Sequence, residues 1–247
     1  MSQGFLANAR SAPKRALLLA AGLGTRLRPI TDHIPKCLVP IHGEPLLYRW
    51  LDLLCGSGVD EIIVNTHYFA DRVVEACAAS AWKDQIILAH EPNLLGTAGT
   101  LKHHRKRLEV GNFWLIHADN LSHFNVKDFV SAFEYRPSVC VGTMMTFITD
   151  APSQCGIAVC NEQDILTDYF EKVAAPPSNM ANAAVFLLDP RIFQVLDASA
   201  DAFDFCRDIV PKMVGRINTF KNDCYHRDIG TVASYQQALL DVRPKIQ

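Results

Sequence analysis

Two patterns of hydrophobic and polar positions alternate along the first 150 residues. Short apolar runs bounded by turn residues predict buried strands at 16–20, 61–65, 85–89, 112–117 and 138–147. Between them, apolar residues at helical spacing predict helices at 45–55, 70–80, 97–108 and 126–135. This alternation is typical of an α/β fold, in which helices cover both faces of a mostly parallel sheet.

The rhythm of the chain changes after Asp150. The elements predicted there are a hairpin (156–160 and 165–171), a strand (183–188), a helix (204–214), two short strands (216–220 and 224–229) and a helix from Thr231. We therefore predict a single domain over 15–247, with a small lobe contributed late in the chain. Residues 1–14 are expected to form a flexible tail.

The stretch 16–40 holds the most informative residues. Its apolar run ends abruptly in the loop Gly22-Leu23-Gly24-Thr25-Arg26, and Arg28 and a Pro-Lys pair ending at Lys36 follow. Glycines let successive N–H groups approach an anion closely, and the cationic side chains add full charge, so this segment predicts a phosphate site. It is not a dinucleotide fingerprint, because Leu27 stands at the third glycine position, and it lacks the Gly-Lys-Ser/Thr of a P-loop.

The order Gly-X-Gly-Thr-Arg-Leu-X-Pro, followed by Pro-Lys, resembles the signature of the sugar-1-phosphate nucleotidyltransferases. The resemblance extends from Ala16 to about Leu240 and includes short forms, the mannose- or heptose-1-phosphate guanylyltransferases and the N-acetylmuramate-1-phosphate uridylyltransferases. It implies a GT-A-like nucleotidyltransferase fold: a Rossmann-like mixed, mostly parallel sheet flanked by helices, with a small sugar-binding lobe. The nucleotide-binding part is then expected over about 15–150 and the sugar-binding part over about 151–230.

The resemblance also implies a reaction, in which a nucleoside triphosphate and a sugar 1-phosphate give a nucleotide-sugar and pyrophosphate. The attacking phosphate oxygen is already anionic, so catalysis is expected to need positioning and charge neutralisation rather than a general base. Lys36 is then expected at the α-phosphate, and Arg28 has either a share in phosphate binding or a structural role. The triphosphate is expected on the Arg26 side chain and on the loop residues Ala21, Gly22, Leu23, Gly24 and Thr25.

Two acidic residues follow predicted strands on the same rim of the sheet. Asp119 comes directly after a buried strand, in His-Ala-Asp-Asn, and Asp228 begins Asp-Ile-Gly-Thr. Taken alone, each fits either a turn or helix cap or a Mg²⁺ ligand beside phosphates. The family has metal-binding aspartates in both motifs, so the resemblance implies Mg²⁺ on Asp119 and Asp228. Ala118 stands where the family has glycine.

Two motifs of the predicted lobe resemble the family's sugar-binding motifs. They are Glu171-Lys172-Val173, where the family has Glu-Lys-Pro, and Asn182-Ala183-Ala184, where it has Asn-Ala-Gly. The resemblance implies that Lys172 binds the sugar phosphate and that Glu171 and Asn182 bind sugar hydroxyls. Taken alone, Glu171 and Lys172 would be an exposed ion pair. Ala184 in place of glycine is expected to narrow the choice of sugar.

The segment 91–99 resembles the nucleobase loop of guanylyltransferases, with Gly96 and Thr97 at the nucleotide. A carboxylate accepts two parallel N–H bonds, and guanine offers such a pair, whereas uracil offers one edge donor. Glu91 is therefore either a guanine reader or a solvated loop acid. The expected substrates are GTP and a mannose- or heptose-type sugar 1-phosphate, and the alternative is a uridylyltransferase acting on an amino-sugar 1-phosphate.

Composition limits the partners. A net charge of −2 gives no electrostatic case for nucleic acid, and no apolar run is long enough to span a bilayer. The eight cysteines form no Cys-X-X-Cys pair, and no signal peptide is recognisable, so we expect free thiols and a cytoplasmic protein without a membrane partner. Either a monomer or a dimer is compatible with the sequence. No hexapeptide repeat occurs, so an added β-helix domain is not expected.

Two other classes of protein fit the sequence less well than the enzyme. Ala118 and Ala184 motivate a catalytically silent nucleotide-sugar-binding protein of the same fold, but every charged residue that the chemistry needs is present. A nicotinamide-dependent dehydrogenase is disfavoured because Leu27 replaces the third glycine of its fingerprint.

Overall fold

The centre of the molecule is a mixed nine-stranded sheet with helices on both faces. The structure, a computed structural model, describes residues 13–242, so residues 1–12 of the expected tail lie outside the described residues. The strands are β1 (Arg15–Leu19), β2 (Pro40–Ile41), β3 (Glu44–Pro45), β4 (Glu61–Thr66), β5 (Ile86–His90), β6 (Phe113–His117), β7 (Asn120–His123), β8 (Gly142–Ile148), β9 (Gly156–Cys160), β10 (Leu166–Glu171), β11 (Met180–Leu188), β12 (Asn218–Lys221) and β13 (Tyr225–Asp228). The helices are α1 (Leu46–Gly56), α2 (Ala70–Ala79), α3 (Gly96–His103), α4 (Arg105–Leu108), α5 (Val126–Glu134), α6 (Ile192–Asp197) and α7 (Val232–Asp241).

The order of the strands places the carboxyl ends of the parallel strands on one rim. The main path is β10-β9-β11-β6-β1-β4-β5, in which β1 is parallel to β4 and β6, and β5 is parallel to β4. The long strand β11 is antiparallel to β6, β8 and β9, and so joins the lobe to the parallel half. The predicted α/β fold is confirmed, and strands from both predicted parts share this sheet.

Both faces of β1 are buried, because alternate side chains enter different hydrophobic clusters. Leu18 packs in the cluster with Trp50 and Leu54 of α1, and Leu17 packs in the cluster on the other face. A third cluster brings Leu27 against Ile229 and Ala238 of α7, together with other apolar side chains. This third cluster fixes the end of the glycine loop against the last helix of the described chain.

The structure differs from the sequence prediction in several elements. The helix expected over 97–108 is interrupted at His104, where φ is −91° and ψ is 11°. The helix expected over 204–214 is a π-helical turn, Phe205–Ile209, followed by a 3₁₀ turn, Val210–Met213. Pro211 has no N–H to donate to residue 207, so a regular α-helix does not continue through it.

The strands β7 and β13 form a short antiparallel pair, and the sequence did not predict this pairing. The strand predicted over 224–229 is confirmed as β13, but β7 follows β6 after only two residues and carried no clear pattern of its own. The pairing sets Asp228 opposite Asn120 and Arg227 opposite Leu121. It therefore fixes the position of Asp228 beside the end of β6.

Two other features bear on the predicted surroundings of the protein. All eight cysteines lie within the described residues and are unpaired, in agreement with the prediction of free thiols. Among residues 13–242, none of the helices combines the length and apolarity needed to cross a bilayer.

A buried ion pair joins the end of α5 to the end of β11. Arg136, whose side chain is 1% exposed, donates to a carboxylate oxygen of Asp189 at 2.5 Å and to the carbonyl of Cys140 at 3.1 Å. Asp189 also accepts from Arg191 at 2.6 Å. The carboxylate thus fixes two arginines at the edge of the hydrophobic cluster that contains Leu188.

Replacing Asp189 with Ala is expected to lower the free energy of unfolding by about 3 kcal/mol, because Arg136 keeps its buried charge but loses this acceptor. Urea denaturation followed by circular dichroism measures the change. Asp197→Ala is the matched control, since Asp197 accepts from Arg105 in an exposed pair, and it should cost less than about 1 kcal/mol. Equal effects of the two substitutions would contradict the assignment.

Candidate active site

Two cavities meet at the carboxyl rim of the parallel strands. The front cavity, of about 300 Å³, lies over the glycine loop, and the lobe cavity, of about 180 Å³, lies between that rim and β9 to β11. The front cavity is lined by the predicted residues Ala21, Gly22, Gly24, Thr25, Arg26, Lys36, Glu91, Gly96, Thr97 and Asp119. The lobe cavity is lined by Arg26, Asp119, Glu171, Lys172, Asn182 and Asp228. Of the predicted site residues, Leu23 alone lines neither cavity.

The glycine loop is folded back tightly by its own residues. Gly24 has φ of +63°, and its carbonyl accepts from the Thr31 hydroxyl at 2.7 Å. A β-carbon on Gly24 would lie 2.9 Å from the Thr31 methyl group, so both the conformation and the space favour glycine there. The 3₁₀ turn Thr25–Leu27 then presents Arg26 to both cavities.

The Lys36 ammonium lines the front cavity and lies between two carboxylates, of which Asp119 lines both cavities and Asp228 lines the lobe cavity. Its Nζ atom is 2.8 Å from Asp119 Oδ2 and 2.9 Å from Asp228 Oδ1. The Lys36 side chain is only 7% exposed, whereas those of Asp119 and Asp228 are 37% and 43% exposed. Arg26 approaches the other oxygen of Asp228 at 3.6 Å. The structure thus brings together the two cations and the two acids that the sequence singled out.

Mutual attraction keeps Lys36 and Asp119 ionised at neutral pH. Burial acts to lower the pKa of Lys36, but Asp119 and Asp228 outweigh it and hold that pKa above its ordinary value. Burial likewise acts to raise the pKa of Asp119, and Lys36 together with His117 holds it below its ordinary value. A cation and a carboxylate are therefore both charged when an anionic ligand arrives.

The donor chemistry of the two carboxylates fits a hard divalent cation. Asp119 and Asp228 are converging, solvent-accessible oxygen ligands, and Mg²⁺ is commonly held by one or two carboxylates with substrate phosphates and water. Within residues 13–242, no group of three or more His, Cys, Asp or Glu side chains is placed to hold a metal. The described residues therefore fit a cation that is completed by the substrate rather than an all-protein cage.

Glu91 is buried in the wall of the front cavity, with 4% of its surface exposed. Its Oε1 accepts from Asn65 at 2.9 Å and from Thr100 at 2.6 Å, and its Oε2 accepts from the Leu95 N–H at 3.1 Å. Asn65 in turn accepts from the N–H of Ala20, the residue before Ala21, at 2.7 Å. The carboxylate thus joins the segment 91–97 to the start of the glycine loop, and its reading of a base remains a prediction.

The lobe cavity contains a polar chain that the sequence did not reveal. The Tyr169 hydroxyl donates to Glu171 Oε2 at 2.8 Å and accepts from Asn182 Nδ2 at 3.2 Å. Burial is the main cause that raises the pKa of Tyr169 well above its ordinary value, so the hydroxyl keeps its proton. A β-carbon on Gly156 would lie 1.8 Å from the Tyr169 oxygen, so glycine is needed for this approach.

Two backbone positions of the lobe adopt conformations that favour glycine. Ala184 has φ of +53° and Lys172 has φ of +51°. The Ala184 N–H donates to Asn182 Oδ1 at 2.8 Å, which orients the Asn182 amide toward Tyr169. Ala184 therefore keeps a left-handed conformation at the place where the resembled family has glycine.

Several cavity residues were missed by the sequence analysis. In the front cavity they are Asn65, Thr100 and Phe203, and in the lobe cavity Tyr169 and Cys206, while Asp204 lines both. Asn65 lies at the end of a predicted strand and Tyr169 two residues before Glu171, on the same face of its strand, so the sequence held a local signal for both. Phe203, Asp204 and Cys206 approach the predicted residues only through long-range packing, which no local spacing encodes.

Comparison with known proteins agrees with this geometry. The family model described as nucleotidyl transferase matches residues 15–245. The chain is 28% identical over 222 residues to the mannose-1-phosphate guanylyltransferase catalytic subunit beta of Drosophila pseudoobscura pseudoobscura, covering 87% of this chain and 59% of that protein. It is 26% identical over 231 residues to a putative mannose-1-phosphate guanyltransferase of Sulfolobus acidocaldarius, covering 92% of this chain and 62% of that protein. The chain thus spans about three fifths of the length of these curated relatives.

Solved structures share the fold. The crystal structure of HddC from Yersinia pseudotuberculosis aligns with a TM-score of 0.77 and 26% identity, covering 93% of this chain and 100% of that chain. A putative glucose-1-phosphate thymidylyltransferase from Bacillus anthracis aligns with a TM-score of 0.77 at 19% identity, covering 94% of this chain and 96% of that chain, which is a likeness of fold. The glycine loop, the converging charges and the match over residues 15–245 together show that the chain belongs to the nucleotidyl transferase family.

Proposed function

We propose that this protein transfers a nucleotidyl group from a nucleoside triphosphate to a sugar 1-phosphate and releases pyrophosphate. The observation that carries the proposal is the position of Lys36, which lines the front cavity and lies between Asp119, which lines both cavities, and Asp228, which lines the lobe cavity. A reaction between two anions needs a charged centre between two binding spaces. The names of the curated relatives, mannose-1-phosphate guanylyltransferases, agree with this reaction.

The front cavity is suited to the nucleoside triphosphate. In the proposed complex the phosphates lie against the N–H groups from Ala21 to Thr25 and against Arg26. Lys36 then neutralises the charge that develops on the α-phosphate during in-line attack. The nucleophile is anionic, so no residue is required to remove a proton from it.

The lobe cavity is suited to the sugar 1-phosphate. Lys172, whose side chain is 59% exposed and 3.3 Å from Glu171, is the cation available to the sugar phosphate on that side. Glu171 and Asn182, linked through Tyr169, offer carboxylate and amide oxygens as acceptors to sugar hydroxyls, since Asn182 Nδ2 already donates to Tyr169 and to Cys206 Sγ. The two substrates then meet at Lys36 and Arg26.

Asp119 and Asp228 would hold the metal of this reaction, for which we propose Mg²⁺. When bound, it would supply positive charge that neutralises the substrate phosphates. The oxygen-only donor set favours a hard cation over Zn²⁺ or copper.

For the finer specificity we propose GTP and a mannose- or heptose-type sugar 1-phosphate, because the relatives quoted above are named as mannose-1-phosphate guanylyltransferases. We place the reaction in the cytoplasm, where free thiols such as the eight of this chain persist. Pyrophosphate release with each of the four ribonucleoside triphosphates and dTTP, against a panel of sugar 1-phosphates, tests the proposal. Absence of release with every pair would refute it.

Lys36→Ala is expected to lower kcat by at least about 100-fold, because the α-phosphate loses its neutralising charge. Lys36→Gln keeps N–H donors for the two carboxylates, so it should preserve the fold better and be equally slow. Pyrophosphate release under saturating substrates gives kcat, and Lys127→Ala, on the exposed side of α5, is the control. Unchanged turnover in both Lys36 variants would remove Lys36 from the mechanism.

Arg26→Ala is expected to raise the KM for the nucleoside triphosphate about tenfold or more, because Arg26 lines both cavities. Arg28→Ala is the matched control. Arg28 pairs with Asp32 at 3.1 Å and is absent from the residues lining the two cavities, so its KM should change less than about twofold. Steady-state kinetics at fixed sugar 1-phosphate compares them, and a larger effect of Arg28→Ala would reverse the two assignments.

Asp119→Asn is expected to remove the stimulation of the reaction by Mg²⁺, because the amide lacks the charge that holds a hard cation. Initial rates are measured across a Mg²⁺ series after treatment with a chelator. The wild-type protein should lose activity with the chelator and regain it with Mg²⁺, and Asp128→Asn, on the exposed first turn of α5, should behave likewise. A Mg²⁺-stimulated rate that persists in Asp119→Asn contradicts this role.

A further inference from the structure

A segment from the second half of the chain closes one side of the front cavity. The N–H of Ala98 donates to the carbonyl of Phe203 at 3.0 Å, and the N–H of Phe205 donates to the Thr97 hydroxyl oxygen at 2.6 Å. These bonds join residues more than 100 positions apart. The loop that begins α3 is therefore held from both sides, by Glu91 at one end and by the segment 203–205 at the other.

The Phe203 ring lies directly on the backbone of this loop. Gly96 has φ of +73°, and a β-carbon there would lie 2.3 Å from the Phe203 carbonyl oxygen and 2.7 Å from two ring carbons. Glycine at position 96 thus allows the aromatic ring to contact the loop without an intervening side chain. The N–H groups of Phe203 and Asp204 both donate to Asp208 Oδ2, at 2.9 and 2.8 Å, which fixes this turn.

The exposure of Phe203 is unlike that of the aromatic ring two residues later. Phe205 is fully buried and contacts Phe186 edge-on, with 5.1 Å between ring centroids. Phe203 is 51% exposed and lines the front cavity together with Leu94, Gly96 and Glu91. Phe205 therefore fixes this segment to the hydrophobic core, and the Phe203 ring contributes an apolar surface to the cavity.

We propose that Phe203 is the platform on which the base of the nucleoside triphosphate stacks. The inference rests on the proposed function and adds the residue that binds the base. The glycine loop and Arg26 line the same cavity as the segment 91–97 and Phe203, so a nucleotide whose phosphates bind to the loop has its base within reach of that ring. An exposed aromatic ring held by a rigid turn is a stacking surface for any base, with larger overlap for a purine than for a pyrimidine.

The test measures equilibrium binding to the full chain without sugar 1-phosphate. Isothermal titration calorimetry with GTP, UTP and inorganic tripolyphosphate compares the wild-type protein with Phe203→Leu and Phe203→Tyr. Phe203→Leu is expected to weaken GTP binding about tenfold and UTP binding less, and to leave tripolyphosphate binding unchanged, because tripolyphosphate has no base. Phe203→Tyr keeps an aromatic ring, so its affinity for GTP should stay within about twofold of the wild-type affinity. Tyr135→Leu, at an 85% exposed aromatic outside both cavities, is the control and should leave all three affinities unchanged.

Equal GTP affinity in wild type and Phe203→Leu overturns the inference. An equal loss for GTP and tripolyphosphate also overturns it, because the substitution would then be distorting the phosphate loop. The outcome is separable from the proposed function: a wild-type protein that makes nucleotide-sugar while Phe203→Leu binds GTP normally keeps the function and loses the platform. If the wild-type protein binds GTP but releases no pyrophosphate, the proposed function is wrong, and the titration still decides the role of Phe203.

Discussion

The buried ammonium of Lys36 is the constraint on which the site depends. An ammonium that is 7% exposed is costly to desolvate, and the compensation comes from two carboxylates within 2.9 Å. Lys36 comes from the front of the chain, Asp119 from its middle and Asp228 from near its end. Their attraction therefore helps to fix three distant segments in one geometry, and that geometry is the site.

Strand pairing and hydrophobic packing support the same arrangement. The β7–β13 pairing sets Asp228 opposite Asn120, and the cluster of Leu27 with Ile229 holds the glycine loop against the segment that follows Asp228. Two cations and two anions at the junction of the cavities balance each other. Two phosphorylated substrates would add a large excess of negative charge, which explains why the proposed reaction needs a divalent cation besides Lys36 and Arg26.

The sequence predicted the features that depend on local pattern. The run 16–20 and the glycines after it predicted a buried strand that ends at an anion site, because both signals are contiguous in the chain. The pairing of β7 with β13 and the position of Phe203 depend on contacts across 100 or more residues, and no spacing encodes them. Glu91 shows the same limit: the sequence left open whether its carboxylate reads a base or is solvated, and the contacts that bury it, from Asn65 and Thr100, come from neighbouring elements.

The proposed complex separates the groups that bind phosphates from those that bind the base and the sugar. In that complex the phosphates depend on residues 21–36 with Asp119 and Asp228, where charge and position leave little freedom. The two ends of the combined cavity are completed instead by second-half segments that rest against glycines, Phe203 on Gly96 and Tyr169 beside Gly156. In the proposed complex, a change of an aromatic or polar side chain there would alter the shape offered to a base or a sugar while the charged centre keeps its geometry. The left-handed conformation at Ala184, beside Asn182, adds backbone strain to the lobe cavity, at a place that shares no hydrogen bond with Lys36.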